Sequence, residues 1–533
     1  MTREVLIVGS GPAAAGAALA ATHCPGVHVA VIDVGTRLGD ANQQARLRMG
    51  SLPPERWEAG DLAMISGLPA VSDLGGLPEK RSFGSDFPFR DTGQRGELTA
   101  SGEVNRALVS GAYGGFSNVW GAQIMPFTAA TFHDWPVGAD EMYRHYASIL
   151  RHVPHAAEQD DLAELFPIFG TSTPLPRLSE RSSLVLARYA RHRNRLARHG
   201  IVLGRARLAF KAADCVRCGL CMTGCPYLLI YSASQTMDEL RANGQITYHG
   251  GLLAVAVEEA DGRATVIARE IRTGRCQRFT ADRVFLACGA VGTARLAMSS
   301  LRLFDTPAVV HESRQFALPF FSRATRADPR HAADFTLNQF NMVISLDSVG
   351  RDLSQLHFYT YNSAFSDALP AFLKGNWAHG IRGQLLRRVS VAIGYLPSWA
   401  SPTFTMQVHP PRAPWELPSL TIAPECHRFV QNPMLRTVLA RVACSARWLD
   451  LWPGLAMLTV SATGKSYHWG GVFPHAHKPA GRFGSDLFGR IAPWSRVHLV
   501  DASVFPSVPA TTFTLTVMAN AHRIADSALC ELE

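Results

Sequence analysis

Four cysteines stand within eleven positions, Cys215, Cys218, Cys221 and Cys225, and Pro226 follows the last of them. The pattern C-x2-C-x2-C-x3-C-P is the bacterial ferredoxin spacing, whose short spacers wrap backbone N–H groups around sulfide. Gly219 and Gly224 relieve the tight turns, and Pro226 ends the wrap. In two-cluster ferredoxins the fourth cysteine of such a run serves the other cluster, and this chain has no second run. Three arrangements therefore stay open. Cys225 bends back to a single 4Fe-4S cluster, a remote residue completes that cluster, or the cluster has three irons (3Fe-4S). Four thiolates also suit tetrahedral zinc, and thiols without metal are the remaining reading.

A second constellation lies at the amino terminus. Glu4 to Val8 is short, apolar and β-branched, as a buried parallel strand is. Gly9-Ser-Gly11-Pro-Ala-Ala14 follows, then an Ala-rich helical run, then a second strand from Val27 to Ile32 that ends at Asp33. Gly9 makes the tight turn, Gly11 lets backbone approach a pyrophosphate, and Ala14 keeps helix and strand close. The helix start offers free N–H groups and positive dipole to phosphate. Asp33 can accept hydrogen bonds from ribose hydroxyls. Strand, glycine turn, helix, strand and acid together predict a dinucleotide site, without separating FAD from NAD.

Further segments carry a specific resemblance. Gly114-Gly115-Phe-Ser117-Asn118-Val-Trp120-Gly121 resembles the Gly-Gly-x-Ser segment of the glucose–methanol–choline FAD oxidoreductases, which runs along the flavin. Ala287-Cys-Gly289-Ala-Val-Gly-Thr293 resembles that family's strand-to-helix turn on the far side of the nucleotide domain, and Gly251 to Val255 its strand against the adenine. Asp501-Ala502-Ser503-Val-Phe-Pro506 resembles its Asp-Ala-Ser-x-x-Pro signature, followed by a helix from about Thr514 to Asp526 that aims its positive end at the flavin. Ser466-Tyr-His468-Trp-Gly-Gly471 resembles the family's His-x-x-Gly segment. The resemblance covers residues 1 to about 310 and 450 to 533.

The resemblance implies FAD as cofactor and oxidation of a small-molecule alcohol. His468 would take the hydroxyl proton as the C–H hydride leaves, work suited to imidazole near neutral pH. The bland alternative is a histidine merely buried in a core. The family's second His or Asn falls at Thr512, which can hydrogen-bond a substrate oxygen but is a poor base. A cluster accepts one electron at a time, whereas an alcohol gives two. A cluster beside the flavin would therefore make this a dehydrogenase feeding an acceptor protein or a quinone. An oxygen-using oxidase with structural or zinc-bound cysteines, and an electron carrier with no substrate, are the alternatives.

The implied fold is α/β: a Rossmann-type FAD-binding domain built from discontinuous segments (1–310 with the cysteine insertion, and 450–533), plus an α+β substrate or cap domain over 311–449. In that middle stretch Asn338–Leu346, Gln355–Tyr361 and Thr403–Val408 are strand-like and predict an antiparallel sheet roofing the flavin, with helices outside. Residues 41–110 are polar and predict an excursion beside the flavin, and 181–199 a solvated amphipathic helix.

Composition narrows the class. The chain has 533 residues, 47% hydrophobic and 18% charged, the balance of a globular protein with more than one domain. Its net charge of +9 comes from scattered basic residues with no nucleic-acid-binding motif. Ten cysteines, six of them dispersed, do not make a secreted disulfide scaffold. No signal peptide and no transmembrane run are visible, so a cytoplasmic enzyme is expected. Leu369–Leu396 is apolar and basic: a buried cap helix, an apolar substrate entrance or a contact with a membrane surface.

Overall fold

The computed structural model describes residues 3–67, 80–102, 104–105, 107–323, 334–346, 353–360, 384–425 and 431–530. Five short strands from distant parts of the chain form one parallel sheet, in the order Val497–Leu499, Arg283–Leu286, Arg3–Val8, Val27–Ile32, Ile246–His249. Val5 to Val8 are buried on both faces, which explains their unbroken apolar run. The helix Pro12–Ala21 covers one face and packs along the last helix, Thr514–Cys530. Gly16 makes that packing possible, since a Cβ there would lie 2.2 Å from the Met518 carbonyl oxygen. The amino and carboxy termini of the chain thus build one domain.

A second, larger sheet is antiparallel and runs Trp452–Pro453, Gln315–Phe321, Val389–Tyr395, Leu353–Tyr359, Asn338–Ser345, Ile201–Arg205. Its two faces differ by the two-residue period of a strand. Phe316, Leu318, Phe320, Leu356, Phe358 and Ala392 face outward, into a core closed by the helices Glu180–Ala197 and Pro433–Leu449. The opposite face carries Gln315, Gln355, His357, Tyr359 and Tyr395, and of these Gln315, Tyr395 and Gln355 stand in direct register across three strands.

Two expectations change here. Phe404–Val408 does not join this roof. It pairs with Ala308–Glu312 and Leu420–Pro424 in a separate sheet that also holds Leu98–Ala100 and Trp469–Gly470. The last part of the Leu369–Leu396 stretch is not a cap helix, because Val389–Tyr395 is a central strand of the roof; residues 369–383 lie outside the described residues. The alternation of Val389, Val391 and Ile393 with smaller residues fits a strand buried on both sides better than a helical stripe.

The excursion over 41–110 contains the helices Asp40–Gly50 and Ala59–Ser66, and just beyond it Ala112 bridges Thr36 in parallel. The amphipathic helix is present as Glu180–Ala197, with Val185, Tyr189 and Leu196 buried and most arginines outward. Among the described residues no helix is long and apolar enough to cross a membrane.

Candidate active site

A cavity of about 400 Å³ runs from the end of the parallel sheet to the polar face of the roof. Gly9 turns the chain at its rim with φ +110, and a Cβ there would meet the Ala287 carbonyl oxygen at 2.5 Å, so only glycine fits. Gly11 opens on the cavity, where a Cβ would meet nothing within 4 Å. It also begins the helix Pro12–Ala21, whose first N–H groups receive no side-chain cap and are left for an anion. Ala14 is fully buried behind this turn and holds helix to sheet.

Asp33 lines the same cavity. Its Oδ2 accepts from Ser10 Oγ at 2.5 Å and from Tyr248 at 3.2 Å. Burial outweighs these bonds and pushes the carboxyl from 3.8 up to about 7. A buried carboxylate with room for further donors suits a diol.

Gly115, Ser117, Trp120 and Gly121 form the next wall. Gly114 and Asn118 stand behind it and shape it. Gly114 N donates to Ser10 Oγ at 3.0 Å, and Asn118 Nδ2 donates to the carbonyls of Tyr113 and Gly115 at 2.9 and 2.7 Å. On the far side Gly289 lines the cavity, and so do Asp501 and Ala502. Asp501 accepts from Thr293 Oγ1 at 2.5 Å and from Ser503 N at 3.0 Å, which ties the carboxy-terminal signature to the turn after Ala287. Leu252, Leu253 and Ala254 reach the cavity, while Val255 is turned into a cluster with Ile267 and Leu417. Thr514 lines it at the start of the last helix.

His468 lines the cavity end beneath the roof. Trp469 pairs with Glu312 at the edge of the smaller mixed sheet, and Ser313 N donates to the His468 carbonyl at 2.9 Å, so the histidine sits on a fixed strand end. Glu312 is fully buried and holds the turn before it, accepting from Gly464 N at 3.0 Å and Ser466 Oγ at 2.7 Å. Ser466 Oγ in turn accepts from His468 N at 3.1 Å. Burial raises the Glu312 carboxyl, against the pull of Arg314 at 3.5 Å.

The imidazole itself stacks on Tyr395 at 4.6 Å and meets Phe513 edge-on at 4.9 Å. It is partly exposed where it lines the cavity, and burial lowers it to about 3. It is therefore neutral and able to accept a proton throughout the neutral range. Its Nδ1 is buried without a hydrogen-bond partner. Thr512 is not brought to the cavity: it is buried beside Phe513, with Oγ1 lacking a partner.

The cysteine loop borders this same cavity. Met222 lines it and packs against Tyr359, Ile393 and Tyr395. Cys215 and Cys218 are half-buried, Cys221 and Cys225 are buried, and none is in a disulfide. Burial pushes the Cys215 and Cys218 thiols up to about 11 and about 12, and the neighbouring sulfurs add to the shift. Backbone donors surround the sulfurs: Arg217 N lies 3.4 Å from Cys215 Sγ and Thr336 N 3.4 Å from Cys221 Sγ. Such a donor set has the chemistry of an iron–sulfur or zinc site. Among the described residues, however, no three His, Cys, Asp or Glu side chains are drawn together as a metal-binding group.

Two wall residues carry no sequence signal. Lys80 donates from Nζ to the Trp120 carbonyl at 2.7 Å, and burial lowers it to about 8 while Cys221 and Cys225 act in the opposite direction. Arg295 is buried with its guanidinium on the carbonyls of Gln94 and Arg95. Lys80 comes from a loop and Arg295 from the helix Ala290–Ser300, and the partners of both are set by tertiary contact.

No known family model matches the sequence, and no curated protein matches it. Solved structures do match its fold over almost the whole chain. Pyridoxine 4-oxidase from Mesorbium loti superposes with a TM-score of 0.59 at 13% identity, covering 98% of this chain and 99% of that one. Two variants of formate oxidase from Aspergillus oryzae RIB40, studied for FAD modification, give TM-scores of 0.62 and 0.60 at 13% and 14% identity, each covering 99% of this chain and 98% of theirs. The fold is therefore one shared with these oxidases, a mixed α/β chain with a parallel and an antiparallel sheet.

Proposed function

We propose that this chain is an FAD-dependent oxidoreductase acting on a CH–OH group, with His468 as the base. The observation that carries the reading is one continuous cavity with a dinucleotide cradle at one end and a neutral histidine at the other. The cradle fits FAD on its own terms: an uncapped helix start for the pyrophosphate, a buried carboxylate at Asp33 for a ribose, and glycine walls for a flat ring. Bound there, FAD supplies the hydride acceptor.

The chain's own residues do the rest. His468 takes the hydroxyl proton as the substrate carbon gives up hydride, leaving a carbonyl product. Glu312 and Ser466 hold the backbone that aims the imidazole. Tyr467, Phe116 and Trp469, with ring centroids 5.1 to 6.5 Å apart, wall the cavity against bulk water.

The reading extends to a dehydrogenase that passes electrons to an acceptor protein or a quinone. It is supported by the ferredoxin spacing, the backbone donors on the sulfurs and the position of Met222 against Tyr395. An iron–sulfur cluster on Cys215, Cys218, Cys221 and Cys225 would supply a one-electron acceptor beside the cavity.

The test is anaerobic reduction of the bound flavin by a panel of alcohols, with iron and sulfide assays and EPR on the same samples. His468→Ala should keep its FAD and lose reduction by about 10²- to 10⁴-fold. Undiminished reduction in that variant would remove the base assignment. Zinc, or no metal, in place of iron and sulfide would remove the dehydrogenase wiring and favour an oxygen-using oxidase.

A further inference from the structure

We infer that the hydroxyl of Tyr395 is a second catalytic group, a fixed hydrogen-bond donor that grips the reacting oxygen opposite His468. The inference rests on the alcohol-oxidising reading of this cavity and adds a residue to it.

Three observations carry it. The first is position. Tyr395 ends a central roof strand, on the polar face, and lines the cavity with its ring stacked on His468 at 4.6 Å and 21°. A small oxygen held near the imidazole therefore lies beside the phenol as well.

The second is the direction of the phenol proton. Gln315 stands directly opposite Tyr395 across the strands. Ser461 Oγ donates to Gln315 Oε1 at 2.8 Å, and the two residues are also joined through Ser461 N and the Gln315 carbonyl at 3.1 Å. In this arrangement Ser461 occupies the amide oxygen, which turns the amide nitrogen toward Tyr395. Gln315 Nε2 then donates to the Tyr395 hydroxyl at 2.9 Å. The phenol oxygen accepts there, and its own proton must point elsewhere. Among the described residues no other hydrogen bond uses that proton. Burial pushes the phenol up to about 12, so it stays protonated and a donor across the working pH range.

The third concerns the position that the sequence would use for this role. Thr512 is turned away from the cavity, with its hydroxyl buried and unpartnered. The donor role that the sequence would give Thr512 thus falls to a residue more than a hundred positions earlier, on the roof.

The chemistry balances without consuming the phenol. As His468 removes the hydroxyl proton, negative charge builds on the substrate oxygen. The Tyr395 donor stabilises that charge, keeps its own proton, and remains hydrogen-bonded to the carbonyl oxygen of the product.

The experiment uses the FAD-loaded enzyme and two readouts. One is the anaerobic rate of flavin reduction by an alcohol; the other is the dissociation constant of acetate, read from the perturbed flavin spectrum, which needs no turnover. Tyr395→Phe should keep its FAD, lose about 10²- to 10³-fold in the reduction rate at saturating alcohol, and bind acetate about tenfold more weakly. Thr512→Val should change neither by more than about twofold. Equal rates and equal acetate binding in Tyr395→Phe would overturn the donor assignment while leaving the alcohol reading intact. If no alcohol reduces the wild type but Tyr395→Phe still weakens acetate, the reaction is wrong and the donor stands. Failure of the wild type to bind acetate would count against the donor.

Discussion

Replacing Asp33 by Asn should reverse its effect on the stability of the FAD-free protein between acid and alkaline pH. Asp33 has a folded-state value of about 7 against an ordinary 3.8, because burial outweighs the bonds from Ser10 and Tyr248. A group raised in the folded state contributes stability fully present below its unfolded value, and that contribution is lost as pH rises through the folded value. Each unit is worth about 1.4 kcal/mol, so full ionisation of Asp33 costs the empty fold on the order of 4 kcal/mol. Asn cannot ionise and escapes that cost. It also presents an amide NH₂ where the carboxylate meets several donors, a loss of about 1–2 kcal/mol. The apoprotein of Asp33→Asn should therefore melt below the wild type at about pH 3.5 and above it at about pH 8. The assay is thermal unfolding of flavin-free protein at both values. The variant should also bind FAD about 10- to 100-fold more weakly, having lost a charged acceptor for a ribose hydroxyl. If wild type and variant keep the same order of stability at both pH values, Asp33 is not a buried carboxyl held against its own ionisation.

Other consequences are as direct. Since burial holds His468 near 3, its neutral form is present above that value, and the rate of flavin reduction should show no loss from His468 protonation between about pH 5 and pH 8; a fall with a midpoint near 6.5 would mean that the imidazole is solvated. Glu312→Ala removes the carboxylate that holds Gly464 and Ser466 and that faces Arg314 at 3.5 Å, so thermal unfolding should show a loss of about 3–5 kcal/mol. Flavin reduction should weaken with it, because Ser466 holds the His468 amide.

The parts of the molecule legible in the sequence are those whose determinants are local. Gly9, Gly11, Ala14 and Asp33 lie within one strand–helix–strand unit, and the same residues that define the pattern make its geometry. Asp501 and Gly289 could be read from their segments, though their meeting through Thr293 is a tertiary event. The roof was legible as an antiparallel sheet, though not in its strand order. Strand periodicity shows which residues share a face, but it says nothing of which strand pairs with which. Phe404–Val408 therefore went to another sheet, and Ile201–Arg205 entered the roof from far upstream. The same limit hid Tyr395, whose role depends on a glutamine and a serine that approach it from distant strands. Lys80 gave no signal because nothing around it in sequence distinguishes it from a surface lysine.

The most direct test of the proposed function is the absorption spectrum of the purified wild-type protein during anaerobic titration with alcohols, alongside its flavin content. One FAD per chain is expected, with bleaching of the visible flavin band by at least one alcohol. A chain that carries no flavin, or whose flavin no alcohol reduces, would contradict that function.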